Sequence, residues 1–498
     1  MVCFVKKINM FMRMARLRLN YTPMVYASSR IIAIAFISVL AGCKKLVQVS
    51  PPTTAINSAD VYSTDATAIA AVTAIYSSIS SGGPYTSSVL GISTIVGLSA
   101  DELTLYPGAS VAALPLYYTN NLNNDMQFDF WPGIYQIVYI ANAALEGLNG
   151  ATGLTKSVQQ QLIGEAEFDR AFLYFYLVNL YGDVPLVLTS DYAANATLAK
   201  TPQAAVWVQI IEDLHNAAQN LSSFYIDGTL INSTNERLRP TKWAALSLLA
   251  RAYLYNGNWA GADSAATAVI GNSALFNLNT PDSVFLMNSS EAIWQLQPVI
   301  PQHDVPDAYS FILPASGPNS YPNFGYLNDS LVNAFDSGDL RRADWVDSVV
   351  VGGTTFYYPY KYKNDSVNGP LTEYIMVLRL GEQFLIRAEA KANEAGGVQA
   401  AIADLNTIRS RANLGNYSGA MDQTSILVEI MHQRQLELFT EWGDRWLNLK
   451  RTKTIDIVMG TDGACALKGG QWNTNAQLYP IPLYDLQSDP NLIQNLGY

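Results

Sequence analysis

Glu165, Glu167 and Asp169 place three carboxyls at i, i+2 and i+4 of one apolar-patterned stretch. Glycoside hydrolysis uses carboxyl pairs, but the two must face each other across a substrate, and this spacing strings them along a single helix. A solvated or ion-paired helix face fits better. His215, His303 and His432 lie far apart and show no metal-ligand spacing. The sequence has no HExxH, paired CxxC, P-loop, GxSxG elbow or EF-hand loop. It therefore offers no catalytic constellation and no metal site, and no cofactor is expected. Carboxyls brought together only by folding remain open at this level.

Cys43 is the residue whose setting does point to covalent chemistry. It ends Leu40-Ala41-Gly42-Cys43, directly after the apolar run 31–40, with Arg30 in front. A basic flank, a short apolar stretch and small residues before a cysteine form a bacterial lipoprotein signal, and the expected modification is lipidation of Cys43. The run is too short to cross a bilayer, which takes roughly 20 apolar residues. Residues 1–42 thus read as a signal peptide, with Met24 giving a leader of ordinary length. Residues 43–60, polar and containing Pro51-Pro52, read as a lipidated tether. The expected attachment is through lipid to a membrane, outside the cytoplasm.

The chain carries a formal charge of −11; its first 42 residues hold six basic and no acidic side chains, so the remainder stands at −17. Such an acidic surface argues against nucleic acid as a partner. With Cys3 in the signal and Cys43 acylated, Cys465 has no partner for a disulfide, so packing must carry the stability. Tyrosine is abundant, at 29 residues, which suits both ligand stacking and the seams of helical proteins.

Helical periodicity marks 65–81, 130–148, 157–181, 202–221, 240–255, 259–270, 376–395, 398–412 and 424–450. Residues 83–125 read as loop and short irregular structure. The stretch 275–370 reads as short strands (SVFL, AIWQLQ, TTFYYPYKY) and long loops, and the tail 468–498 as irregular. Three helices share an Arg-Ala core at Arg170-Ala171, Arg251-Ala252 and Arg387-Ala388, and the second and third are followed by a Gly-containing turn and an Ala-rich helix. Leu249, Ala252, Tyr253, Gly257, Trp259 and Ala262 look like a tetratricopeptide helix–turn–helix unit. The expected fold is mainly α: a tetratricopeptide-like right-handed superhelix with long loops and a few short strands.

The segments 379–390 (RLGEQFLIRAEA), 403–412 (ADLNTIRSRA), 432–439 (HQRQLELF) and 441–451 (EWGDRWLNLKR) together resemble the SusD/RagB family. So do Tyr479-Pro480-Ile481-Pro482, the closing 494–498, and Glu165–Ala171 with 182–186 (GDVPL). These are nutrient-capturing surface lipoproteins. The resemblance covers most of the mature chain and divides it into an N-terminal helical region (61–275) and a C-terminal region (276–498). The charged residues of these motifs read as structural: Arg434 with Glu437 and Glu441, and Asp444 with Arg445, stand at helical-neighbour spacings or a helix end.

The resemblance implies a non-catalytic protein of the outer membrane, facing the exterior, that binds an oligosaccharide or polysaccharide and passes it to a SusC-like TonB-dependent transporter. Glycan recognition needs aromatic faces against sugar C–H groups and polar side chains on the hydroxyls, best presented on loops. Two loop regions supply them: 83–125, with Tyr85 and Tyr106, and 298–326, with Gln302, Asp304, Tyr309, Tyr321, Asn323 and Phe324. The resemblance implies a ligand site in these loops, with Tyr321 in the corresponding one. A peptide binder on the same fold, a purely structural scaffold and a membrane-anchored glycosidase are the alternatives.

Overall fold

Apolar residues recurring every three or four positions build the helical body of the computed structural model, which describes residues 58–81, 90–125, 130–299, 305–366 and 368–498. In α1 (Asp65–Ser81) the buried face is Ala68, Val72, Ile75 and Ile79. The Thr64 hydroxyl accepts from the Thr67 N–H at its start, whereas Asp65 accepts from the Thr155 N–H at 2.8 Å and ties two elements together. The other main helices are α2 (Ile92–Ser99), α3 (Trp131–Gly150), α4 (Lys156–Tyr181), α5 (Gln203–Asn220), α6 (Lys242–Tyr255), α7 (Trp259–Ile270), α8 (Leu380–Asn393), α9 (Val398–Arg411), α10 (Gln423–Leu438) and α11 (Asp444–Arg451).

From α3 to α9 each helix packs on the next, and α10 packs on both α8 and α9. Small residues allow the close crossings: Ala250 of α6, Ala262, Ala265 and Ala266 of α7 and Ala390 of α8 form one buried cluster. Gly257, at φ +73°, makes the reversal between α6 and α7, and a Cβ on Gly261 would stand 2.8 Å from the Tyr253 ring. The three repeated arginines each pair with an acid on a partner helix: Arg170 with Asp213 of α5, Arg251 with Glu382 of α8, and Arg387 with Asp404 of α9. The result is a mainly helical, tetratricopeptide-like superhelix, and residues 58–498 form one compact unit.

Strands are short and pair antiparallel. They are β1 (Leu103–Leu105), β2 (Ala292–Leu296), β3 (Gly325–Leu327), β4 (Val346–Val351), β5 (Thr354–Pro359) and β6 (Ile375–Arg379), joined as β1–β3, β2–β6 and β4–β5. Gly352 and Gly353, both at positive φ, close the β4–β5 hairpin with a two-residue turn. β2 is buried throughout, and its Trp294 ring sits edge-on to Tyr76, Phe168 and Phe172. SVFL is not a strand: it follows a 3-10 turn at Pro281–Ser283 and contributes one isolated bridge, Leu286 to Glu373.

Short helices also stand where the sequence reads as loop or irregular, at Pro306–Phe311, Asp329–Val332, Leu340–Trp345 and Leu483–Ser488, and three further segments depart from the periodicity reading. Residues 376–379 belong to β6, so α8 starts only at Leu380. The 424–450 run breaks between α10 and α11, where Thr440, Trp442 and Gly443 take positive φ. The break turns Trp442 inward, where its indole N–H donates to Met376 O at 2.6 Å and its ring meets Phe172. Gly443 also permits the close approach of α2, since a Cβ there would stand 2.8 Å from Val96. The third is 83–125, whose described part holds α2, buried at all eight positions, and β1.

The charged C-terminal motifs are structural, but their partners are not helical neighbours. Arg434 bonds Glu382 and Asp444, Glu437 receives Arg341, Arg379 and Arg411, Glu441 receives Lys361 and Arg379, and Arg445 reaches back to Asp101. These pairs are largely desolvated, and most of them join segments fifty or more residues apart in sequence.

Candidate ligand-binding site

The carboxyls of α4 face inward. Glu165 is fully buried and accepts from Arg239 Nη1 at 2.7 Å, the Tyr76 hydroxyl at 2.9 Å and Gln161 Nε2 at 2.9 Å. Asp169, one turn on, is also fully buried; desolvation and then the Glu165 charge push its carboxyl well above the usual range. Glu167 lies half-buried beside Asn220, and burial pushes it up to about 7. The face is ion-paired at Glu165 but not solvated, and Glu165 and Asp169 are out of reach of solvent. His215 shares a 2.7 Å hydrogen bond with the Tyr253 hydroxyl, and among the described residues no three metal-ligating side chains gather.

The two tyrosine-rich loops, more than two hundred residues apart in sequence, meet in space. β1 pairs with β3, and the pairing continues beyond the strands. Tyr106 N–H donates to Phe324 O at 2.7 Å, and the Ser110 N–H and hydroxyl donate to Ser320 O at 3.0 and 3.1 Å. On the other side, Asn323 is held by its amide, whose Nδ2 bonds the carbonyls of Tyr309, Ser310 and Ile312 at 2.9–3.2 Å. Tyr321 thus stands on a short loop fixed at both ends, and its side chain is 48% exposed. Tyr106 and Tyr309 are half-buried on the segments bonded to it. Gly108 leaves room for the Tyr106 ring: a Cβ there would stand 2.5 Å from it.

Not every expected side chain reaches this face. Phe324 is fully buried in the main apolar core, where a phenyl ring contributes about 2 kcal/mol more than it would exposed. Asn323 is nearly buried, and its donors are spent on the loop, which makes it a positioning residue. Cys43, Tyr85, Gln302 and Asp304 lie outside the described residues. Phe356 of β5, read from sequence only as part of a structural strand, packs edge-on against Tyr326 at 5.2 Å and extends the aromatic surface. The Tyr326 hydroxyl is pushed up by burial and then by neighbouring Tyr118 and Asp329, and the Tyr118 hydroxyl by burial, with hydrogen bonding at Thr104 and Leu105 opposing. The alternation in Leu103-Thr104-Leu105-Tyr106 was the available signal that this loop contains a strand.

Two family models match the chain: "Starch-binding associating with outer membrane" over residues 110–254 and "SusD family" over residues 347–498. A SusD-like protein of Formosa agariphila is 27% identical over 425 residues, covering 76% of this chain and 82% of that one. Among solved structures, a laminarin-binding SusD-like protein superposes with a TM-score of 0.70 at 22% identity, covering 86% of this chain and 99% of the other. Surface glycan-binding protein A from Bacteroides fluxus gives 0.72 at 20% identity, covering 87% and 99%. With both models falling on the segments that carry the motifs, and the fold shared across nearly the whole of these structures, the chain belongs to the SusD/RagB family.

Proposed function

We propose that the protein captures a nutrient oligosaccharide or polysaccharide on the tyrosine face of loops 104–110 and 305–327 and delivers it, chemically unchanged, to a SusC-like TonB-dependent transporter. The observation that carries this reading is Tyr321: a half-exposed ring on a loop held at one end by Ser110 of the facing loop and at the other by the bonds of Asn323 to the 309–312 segment. A fixed aromatic face loses little entropy when a sugar ring stacks on it. The named specificities of the laminarin-binding and surface glycan-binding structures support a glycan as the ligand class. Lipidation at Cys43 holds the protein at the outer surface, with 43–60 as tether and 61–275 and 276–498 as the two regions of the body. Among the described residues no helix is long and apolar enough to cross a membrane.

Affinity electrophoresis of the purified protein in gels containing single polysaccharides tests this. Retardation by one polysaccharide is expected, with Tyr321→Ala weakening it at least tenfold, about 1.4 kcal/mol, while thermal unfolding is unchanged. A protein that no polysaccharide in a broad panel retards, or a Tyr321→Ala variant retarded like the wild type, would sink the reading. Release of shortened glycan would overturn the non-catalytic part.

A further inference from the structure

Charge is distributed unevenly along the chain. Residues 46–155 and 252–340 contain no lysine or arginine, although they hold fifteen of the 41 Asp and Glu and the whole chain carries 30 basic side chains. Both tyrosine loops fall inside these stretches, with Tyr106 in the first and Tyr309 and Tyr321 in the second. The β4–β5 hairpin borders the same face: a Cβ on Gly317 would stand 3.0 Å from Val351, and Phe356 packs on Tyr326. The hairpin, from Val346 to Pro359, also contains no lysine or arginine.

Cations from elsewhere in the fold reach nearby rings but do not serve the face. Lys468 lies 5.2 Å from the Tyr118 ring, yet it is buried and its Nζ is bonded to three backbone carbonyls. Arg342 lies 4.9 Å over Tyr357, which alternates with Phe356 along β5 and so points to the other side of the hairpin. The charges beside the aromatic surface are negative. Asp329 acts on the Tyr326 hydroxyl, after burial and Tyr118, and Asp347 accepts from the Tyr358 hydroxyl at 3.0 Å. The polar groups next to Tyr321 are uncharged: Ser110 and Ser320 are exposed, and Asn319 is half-buried. Hydroxyls and amides both donate and accept, as sugar hydroxyls do. A uronate or sulfate group leaving water for this face would lose hydration and find no counter-charge. We propose that the tyrosine face selects an uncharged glycan and turns away glycans that bear uronate or sulfate. This rests on the glycan-capture reading and adds to it the charge class of the ligand.

The test is affinity electrophoresis and calorimetry of the purified protein at about pH 8, which keeps histidine neutral. Laminarin, starch and galactomannan are compared with alginate, polygalacturonate and dextran sulfate. Retardation by at least one neutral polysaccharide is expected, lost in Tyr321→Ala, with an affinity that changes less than about twofold between about 20 and about 300 mM NaCl. The carboxymethylated derivative of that polysaccharide should bind about tenfold more weakly or worse, whereas a hydroxyethylated derivative of equal substitution should bind like the parent. Ser320→Arg, which places a counter-charge beside Tyr321, should narrow the gap between the carboxymethylated and parent glycans. Tyr321-dependent retardation by alginate, polygalacturonate or dextran sulfate would overturn the charge selection and leave glycan capture standing. Equal affinity for the carboxymethylated and parent glycans, or equal losses from both substitutions, would do the same. No retardation by any of these polysaccharides would overturn glycan capture itself, and this inference with it.

Discussion

Glu102 shows how much one side chain can decide. It is 1% exposed, beside Asp101, and its carboxylate accepts a single bond, from the Thr440 N–H at 3.2 Å. Burial, then the Asp101 charge, pushes its carboxyl up to about 8. Burial also raises Asp101, but two bonds from Arg445 outweigh that and hold it below the usual range. For Glu102 the folded value lies above the unfolded one, so its stabilising contribution is complete below about pH 4.5 and is lost as pH rises through about 8. Glu102→Gln keeps an acceptor for Thr440 and removes the ionisation. Urea unfolding at pH 5 and pH 8 should show the variant gaining on the wild type by on the order of 4 kcal/mol between the two; an equal pH dependence would refute this. The candidate site's residues were legible in sequence only by type. Tyrosines in Gly- and Asn-rich loops marked the candidate region; Tyr321 there is half-exposed, but Phe324 carries the same aromatic signal and lies in the core. Which face a loop residue takes depends on the strand pairing behind it, here β1 on β3, and no local pattern reports that pairing.

Among the elements, α2 depends most on others. Its sequence, Ile-Ser-Thr-Ile-Val-Gly-Leu-Ser, is β-branched and contains glycine, so its helical propensity is poor, and being apolar all round it shows no amphipathic period. That is why 83–125 reads as irregular: burial, not propensity, makes this helix. A buried helix must still satisfy its last carbonyls. Lys468, in a tail that reads as structureless, donates from Nζ to the carbonyls of Leu98, Ser99 and Ala100 at 2.7–3.1 Å. Lys468→Met keeps the stem and removes the donors, and should lower stability by about 3 kcal/mol. The denaturant midpoint should fall at constant slope, and a loss under 1 kcal/mol would show that water takes over the cap. The 424–450 run illustrates the reverse error. Its apolar pattern continues through Phe439 and Trp442, but left-handed Gly443 beside Val96 lets the chain turn, and tertiary packing of the indole outweighs helix continuation.

Across the whole molecule, the C-terminal motifs work as a clasp. Their residue types were enough to indicate the family and a structural role, but the partners could not be read, because helical spacing reports only neighbours three or four positions away. Glu382 of α8 bonds Arg251 of α6 at 2.6 Å and Arg434 of α10 at 2.9 Å, so one carboxylate holds three helices of the superhelix together. Burial alone would raise its pKa, but the two guanidiniums outweigh burial and hold it at about 2. The folded value lies below the unfolded one, so this stabilisation is present above about pH 4.5 and is lost as pH falls toward about 2. Glu382→Gln leaves Arg251 and Arg434 facing each other without the shared counter-charge, in a setting where removing one partner of a buried pair costs about 3–5 kcal/mol. The variant should therefore be less stable at pH 7, and its stability should fall less than that of the wild type between pH 5 and pH 2.5. Polysaccharide retardation of the folded fraction should be unchanged, because the tyrosine loops contain none of the clasp residues. A loss below 1 kcal/mol at pH 7, with acid sensitivity equal to that of the wild type, would mean that the superhelix is held by its apolar clusters alone.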